Sequence, residues 1–293
     1  MSKFSHLTYR GSYALVTGAS KGIGKVFAEV LASRGMNVVL VARSKDLLSA
    51  YAQSLSEKYG IRAVAIGADL ASPRAPFDIQ TELASQNIEI DLLINNAGFG
   101  LSGSFLSHDL KQEEKQIQVN VQALTALTHI FGKSMAARGR GGIINLASNS
   151  SFQPLPYMAG YAATKAFVLY FSEAIQHELA ANGVHVMASC PGPTATSFFD
   201  GTSTNMASRD FDSSLSVVEK TLESFDRGKS VAYPGRASVR VATLLSRFLP
   251  RSLVVRIAAL ATDKMGLHNT HHPREDRLLA IDPDVMPRYH KNG

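Results

Sequence analysis

YALVTGASKGIG, residues 13–24, is the stretch whose reading decides the fold. A short apolar, β-branched run from Tyr13 to Thr17 enters a turn that carries Gly18, Gly22 and Gly24, and leaves it as a helix. Three glycines so placed let the backbone turn tightly, approach a diphosphate closely and pack the helix against a sheet. The helix N-terminus supplies N–H donors to the phosphate. Alone, a glycine-rich turn is a weak signal. Between the first strand and first helix of a βαβ series it becomes a strong one.

That series continues along the chain. Strand runs are read at 13–17, 37–42, 62–67, 91–95, 142–147, 184–189 and 230–234, and helical stretches near 22–34, 45–59, 74–86, 107–137, 158–182 and 215–227. The alternation predicts an α/β, Rossmann-type doubly wound parallel sheet of about seven strands with helices on both faces. Ligands are then expected at the carboxyl ends of the strands.

The chain of 293 residues, 45% apolar and 18% charged, is at the large end for one domain and excludes disordered, collagen-like and low-complexity classes. It has no apolar run of the roughly 18 residues that crosses a bilayer and no cleavable leader, so a cytoplasmic chain is expected. The single cysteine, Cys190, lies in an apolar run and reads as a small buried thiol. Of the net charge of +6, residues 227–293 carry +7 (12 Lys/Arg against 5 Asp/Glu) and the rest −1. Basic residues confined to a late region argue against nucleic acid. A division follows: residues 1–234 as a nucleotide-binding catalytic domain and 235–293 as a basic amphipathic C-terminal extension with helical structure and an irregular tail.

At the end of the second strand, Ala42-Arg43-Ser44 stands where a carboxylate would meet the two hydroxyls of a NAD ribose. The Arg43 guanidinium suits a 2′-phosphate instead, and Lys21 adds a second cation nearby. NADP(H) is the expected cofactor.

The motifs TGASKGIG (17–24), Asp69 after the third strand, NNAG (95–98), Asn120 in a long helix, Ser148, the pair Tyr161 and Lys165 in YAATK, and PGPTAT (191–196) occur in an order that resembles the short-chain dehydrogenase/reductase family. The resemblance covers roughly residues 10–234. It implies a diphosphate on Gly18, Ser20, Lys21, Gly22, Ile23 and Gly24, and adenine near Asp69 and Leu70. It further implies the adenosine side along Asn96, Ala97 and Gly98, and nicotinamide around Pro191, Gly192, Thr194 and Thr196. The stretches INLASNSSFQPLPYMAGYAATKAF and CPGPTATSFF resemble a branch that includes ketoacyl and hydroxysteroid reductases.

Tyr161 and Lys165, four apart, share a helix face, so the ammonium is expected to favour the phenolate and lower a pKa of about 10. Tyr161 is thereby the expected general acid/base. Tyr157 has Tyr161, not a lysine, four residues on and is assigned to the pocket. Ser148 is the expected partner for the reacting oxygen, with Ser150 and Ser151 as alternatives. Asn120 resembles the family asparagine that helps hold a relay water against the lysine, which in that scheme also binds the nicotinamide ribose.

Pocket walls are expected from Phe99–Leu106, Phe152–Met158 and Ser197–Ser214, with Phe99, Phe152, Tyr157 and Phe198 as candidates and Leu101, Phe105, Leu155, Met158 and Phe199 beside them. An apolar carbonyl or alcohol substrate fits such walls. Three readings compete: an enzyme, a cofactor-bound sensor or scaffold with little turnover, and a peripheral membrane protein anchored by its basic extension. A homo-oligomer is expected. After Pro234, apolar residues at helical spacing are interrupted by Pro250, predicting two short helices that pack on the domain or, as the second choice, lie on an anionic bilayer. His268, His271 and His272 read as solvated tail; no metal site is expected.

Overall fold

The computed structural model describes residues 7–268, apart from 197, 199–203, 208–209, 238–239, 242, 244–245 and 247. Tyr13–Thr17 forms β1, buried from Ala14 onward because it runs through the middle of a sheet covered on both faces. The chain then alternates α1 (Gly22–Ser33), β2 (Asn37–Ala42), α2 (Lys45–Tyr59), β3 (Ala63–Gly67), α3 (Ala75–Ser85) and β4 (Leu92–Asn95). There follow α4 (Leu110–Ile117), α5 (Leu124–Arg138), β5 (Gly141–Leu146), α6 (Ala159–Ala180), β6 (Val184–Ser189), α7 (Ser214–Asp226), β7 (Val231–Ala232) and α8 (Arg251–Lys264).

The seven strands form one parallel sheet in the order β3-β2-β1-β4-β5-β6-β7. The order reverses between β1 and β4, which opens a crevice at their carboxyl ends. Register brings Thr17, Asn95 and Leu146 close to one edge of the sheet: Val16 pairs with Ile94, and Asn95 with Asn145. Apolar layers cover both faces. One holds Phe27, Leu31 and Leu48 with Val218 and Leu222 of α7; the other holds Ile79, Leu83, Leu127 and Phe131.

Two elements differ from expectation. The helix expected at 107–137 is divided: a π-helical segment, Gln118–Ala123, joins α4 to α5. Such a widened turn costs helix geometry and is found where a side chain is directed to a site; here it carries Asn120. The strand expected at 230–234 shortens to two residues, since β7 is the sheet's edge and the chain turns off at Tyr233-Pro234. The predicted break at Pro250 is present, with α8 starting directly after it. Part of the first predicted helix, including Leu244, Leu245 and Arg247, lies outside the described residues. Among the described residues, no helix is long and apolar enough to cross a membrane.

Candidate active site

The glycine-rich turn is locked to the loop after β4. The Thr17 hydroxyl donates to Ile94 O (3.3 Å) and accepts from the backbone N–H groups of Asn96 (3.0 Å) and Ala97 (2.9 Å), while Asn96 Nδ2 donates to Thr17 O at 2.9 Å. Gly18 has φ +66°, a left-handed conformation that a side chain would strain. At Gly24 the constraint is approach: a Cβ would stand 2.4 Å from both Gly18 O and Asn96 Nδ2. Bare backbone is required at both positions.

Ser20 and Lys21 are exposed on this turn, Ile23 packs on the core, and Gly22 faces Thr196. Arg43 is exposed at the end of β2, and neither it nor Lys21 forms an ion pair among the described residues. Asp69 is exposed just beyond β3 and caps its own turn by accepting from Ala71 N (3.1 Å). Leu70 is buried with Ile66 and Ile79, which leaves its backbone, not its side chain, for any nucleotide. On the other side, Pro191 O accepts from Asn149 N, the Thr194 hydroxyl donates to Gly192 O at 2.9 Å, and Thr196 Oγ1 accepts from Phe198 N at 3.2 Å.

Between these two walls the structure brings together Asn120, Ser148, Tyr161 and Lys165. Ser148 follows β5 and caps a short 3₁₀ turn, accepting from Ser150 N. Of its alternatives, Ser151 is committed to Lys165 O at 2.8 Å and the Ser150 hydroxyl is buried; the Ser148 hydroxyl, 3.2 Å from Asn149 Oδ1, is the one of the three that bears on the Tyr161 phenol, whose pKa it lowers. Lys165, 6% exposed, donates from Nζ to Leu146 O at 2.6 Å and lies 5.8 Å from the Tyr161 ring centre. Asn120 holds three partners: Nδ2 donates to Phe99 O (2.8 Å) and to Thr164 Oγ1 (3.0 Å), and Oδ1 accepts from Phe99 N (3.1 Å). Its amide is thus a brace for the loop after β4: both Nδ2 hydrogens are used, and Oδ1 keeps a second lone pair.

A family model described as short chain dehydrogenase matches residues 12–207. The chain belongs to the short-chain dehydrogenase family. It is 36% identical over 190 residues to the human very-long-chain 3-oxoacyl-CoA reductase, covering 64% of this chain and 60% of that protein. It is 33% identical over 189 residues to the human inactive hydroxysteroid dehydrogenase-like protein 1, with 64% and 57% covered. The chain thus spans less than two thirds of the length of these relatives. Among solved structures, a short-chain dehydrogenase from Sphingobium yanoikuyae in complex with NADPH superposes with a TM-score of 0.74 at 34% identity, over 81% of this chain and 93% of that one.

The nicotinamide nucleotide that the family implies fits the residues present. Lys165 has three ammonium hydrogens and directs one to Leu146 O, leaving donors for ribose hydroxyls. Facing it is exposed backbone at Gly98, where a Cβ would approach Lys165 Nζ to 3.4 Å and Asn120 Oδ1 to 3.0 Å.

The electrostatics correct one expectation. Burial pushes the Tyr161 phenol up to about 12, and hydrogen bonding with Ser148 only partly opposes it. Burial also pulls the Lys165 ammonium down to about 8. Lys165 turns its ammonium to Leu146 O and stands 5.8 Å from the ring centre, so spacing four on a helix does not by itself bring the charge to bear on the phenol, and burial prevails.

The candidate wall residues separate. Phe198 packs on Tyr161, ring centres 5.2 Å apart, and Phe99 is held through its backbone by Asn120. Tyr157, at φ +62°, places its ring 5.9 Å from His268, beyond the C-terminal end of α8. Phe152 stacks on Tyr233 and joins a small core with Leu124, Val168 and Cys190, so it is packing more than wall. Phe105 is a surface residue at 58% exposure, and Phe199 lies outside the described residues, as do His271 and His272. Cys190 is buried, and burial pushes its thiol up, as expected of a structural cysteine.

Sequence reasoning missed a buried polar row under the site. Asn95 Nδ2 donates to Asn145 Oδ1 (2.9 Å) and Thr128 Oγ1 (3.0 Å), and Asn145 Nδ2 donates to Ser172 Oγ (3.0 Å). The signal was a polar residue in each of two strands otherwise wholly apolar. It missed also His108, Glu113 and Gln116.

Proposed function

We propose that the protein is an NADP(H)-dependent oxidoreductase that interconverts a carbonyl and a secondary alcohol on an apolar substrate. The observation that carries this reading is the convergence of a buried phenol, a buried ammonium with donors to spare and the Ser148 hydroxyl at one carboxyl edge of the sheet. The nucleotide, when bound, supplies or accepts the hydride. Tyr161 holds a proton at its phenol oxygen, and its raised pKa keeps that proton in place for delivery to a carbonyl oxygen in reduction. Ser148 orients the same oxygen by hydrogen bonding. Lys165 grips the nucleotide's ribose and carries positive charge beside the phenol, while Asn120 fixes the wall at Phe99. Exposed Arg43 and Lys21 support the 2′-phosphate form. A panel of apolar ketones with NADPH, followed at the nicotinamide absorbance, tests the assignment; no oxidation of NADPH by any of them would refute it.

A nucleotide-bound protein without turnover is the second reading, supported by the likeness to the inactive human relative. The same panel decides between them.

The extension supports the rim of the pocket. Val254, Ala258 and Thr262 of α8 are buried, Met265 O accepts from Asn205 N (2.9 Å) and the Thr204 hydroxyl (3.1 Å), and His268 meets Tyr157. The opposite stripe, Leu253, Ile257 and Leu260, remains exposed at 42%, 50% and 63%, with Arg256 and Lys264 beside it. Apolar stripe and flanking cations together support contact with an anionic lipid surface.

A further inference from the structure

Glu113, Gln116 and Asn120 lie three and four residues apart on one face of α4 and its π-helical continuation, and are 7%, 0% and 1% exposed. Each grips the segment after β4. Beyond the Asn120 brace on Phe99, Gln116 Oε1 accepts from Leu101 N at 2.8 Å. Glu113 acts through His108: its Oε1 is 2.7 Å from His108 Nδ1, and His108 Nε2 is 3.2 Å from Ser102 O. Gln116 Nε2 donates to Glu113 Oε2 at 3.2 Å and closes the network.

The hydrogen-bond inventory defines the network's protonation. Ser102 O can only accept, so His108 Nε2 carries a hydrogen. Nδ1 then faces the carboxylate either as a second N–H or as a lone pair receiving a proton held by Glu113. Both arrangements place one shared proton in the pair, whose side chains are 7% and 9% exposed.

The segment held this way touches the reaction centre. A Cβ on Gly100 would stand 2.9 Å from Tyr161 Cδ2, 2.9 Å from Phe198 Cζ and 3.0 Å from Met158 Cε, so the wall runs flush against the phenol ring. Glu113 is wedged on the other side: a Cβ on Gly160, the residue before Tyr161, would fall 2.4 Å from Glu113 Oε2.

We propose that His108, Glu113 and Gln116 are positioning residues that fix the wall 99–103 against Tyr161 and so set how bulky a carbonyl compound the site admits. The proposal rests on the oxidoreductase reading above. Gln116→Leu leaves the Leu101 N–H without its acceptor, and Glu113→Leu releases His108. Glu113→Gln is the conservative rescue, because its amide can donate to a neutral His108 Nδ1 and accept from Gln116.

Amide hydrogen exchange, which needs no turnover, reads the wall directly: peptides spanning 99–104 should exchange faster in Gln116→Leu and Glu113→Leu and at the parent rate in Glu113→Gln. Kinetics with NADPH, using a small methyl ketone and a bulky diaryl ketone, should show the ratio of the two KM values changing about tenfold in the leucine variants, with kcat within about twofold and the ratio restored in Glu113→Gln. Unchanged exchange in Gln116→Leu overturns the proposal, as does faster exchange with an unaltered KM ratio. If Glu113→Leu does not fold, Gln116→Leu and Glu113→Gln still decide it. If the parent protein reduces no ketone of the full panel, the oxidoreductase reading fails and exchange alone judges the clamp.

Discussion

Lys165 Nζ lies 2.6 Å from the carbonyl oxygen of Leu146, the last residue of β5, and so the ammonium is anchored to the sheet, not to the tyrosine four residues before it. Anchored there, it is desolvated, and its pKa falls to about 8. In the folded chain it releases its proton near that value, against 10.5 ordinarily, so the unfolded chain binds more protons in between. Stability of the nucleotide-free protein should therefore rise with pH from about 8 to 10.5, with the burial cost carried in full below that window. Chemical denaturation of the parent protein and Lys165→Met across this range checks it. The parent-minus-variant difference should slope upward; a flat difference contradicts the shift.

Tyr161→Phe removes only the ionisable hydroxyl. It should lower kcat by at least about a thousandfold while NADPH affinity stays within a few fold. Tyr157→Phe, whose ring faces His268, should keep substantial turnover. Comparable losses in both would misplace the general acid.

NADPH should bind at least about tenfold tighter than NADH, equivalent to about 1.4 kcal/mol. Arg43→Ala should weaken NADPH and leave NADH nearly unchanged. Titration calorimetry with both nucleotides separates the cases, and equal affinities would count against a 2′-phosphate site.

Asn145→Leu should destabilise the fold by about 1–3 kcal/mol, because one Asn95 Nδ2 hydrogen loses its acceptor, the other keeping Thr128, and the Ser172 hydroxyl loses a donor in a buried row. The measurement is the denaturation midpoint with an unchanged m-value. A neutral result would mean that the row adds nothing to stability.

Ile257→Glu with Leu260→Glu probes the outward stripe of α8. The parent protein should co-sediment with phosphatidylserine-containing vesicles at low salt and dissociate at about 0.5 M salt, while the double variant should not bind. Undiminished binding by the double variant, or none by the parent protein, would leave α8 a packing element only.

The pattern of apolar runs and glycines sufficed for the parallel sheet, because a strand buried on both faces must be apolar and a strand-to-helix turn at φ +66° must be glycine. Ser148, Tyr161 and Lys165 came from the family resemblance and from their spacing, which is local to the stretch running from the end of β5 into α6. Only the tertiary structure decided what those groups are to one another. The tyrosine pKa depends on how completely the surrounding elements exclude water, and that excluded volume is built by segments remote in sequence, among them Gly100 and Phe198. The π turn at Asn120 and the His108–Glu113–Gln116 clamp were equally hidden. Their partners are backbone atoms of residues 99–102, and a backbone N–H or C=O carries no mark in the sequence until the fold places a side chain beside it.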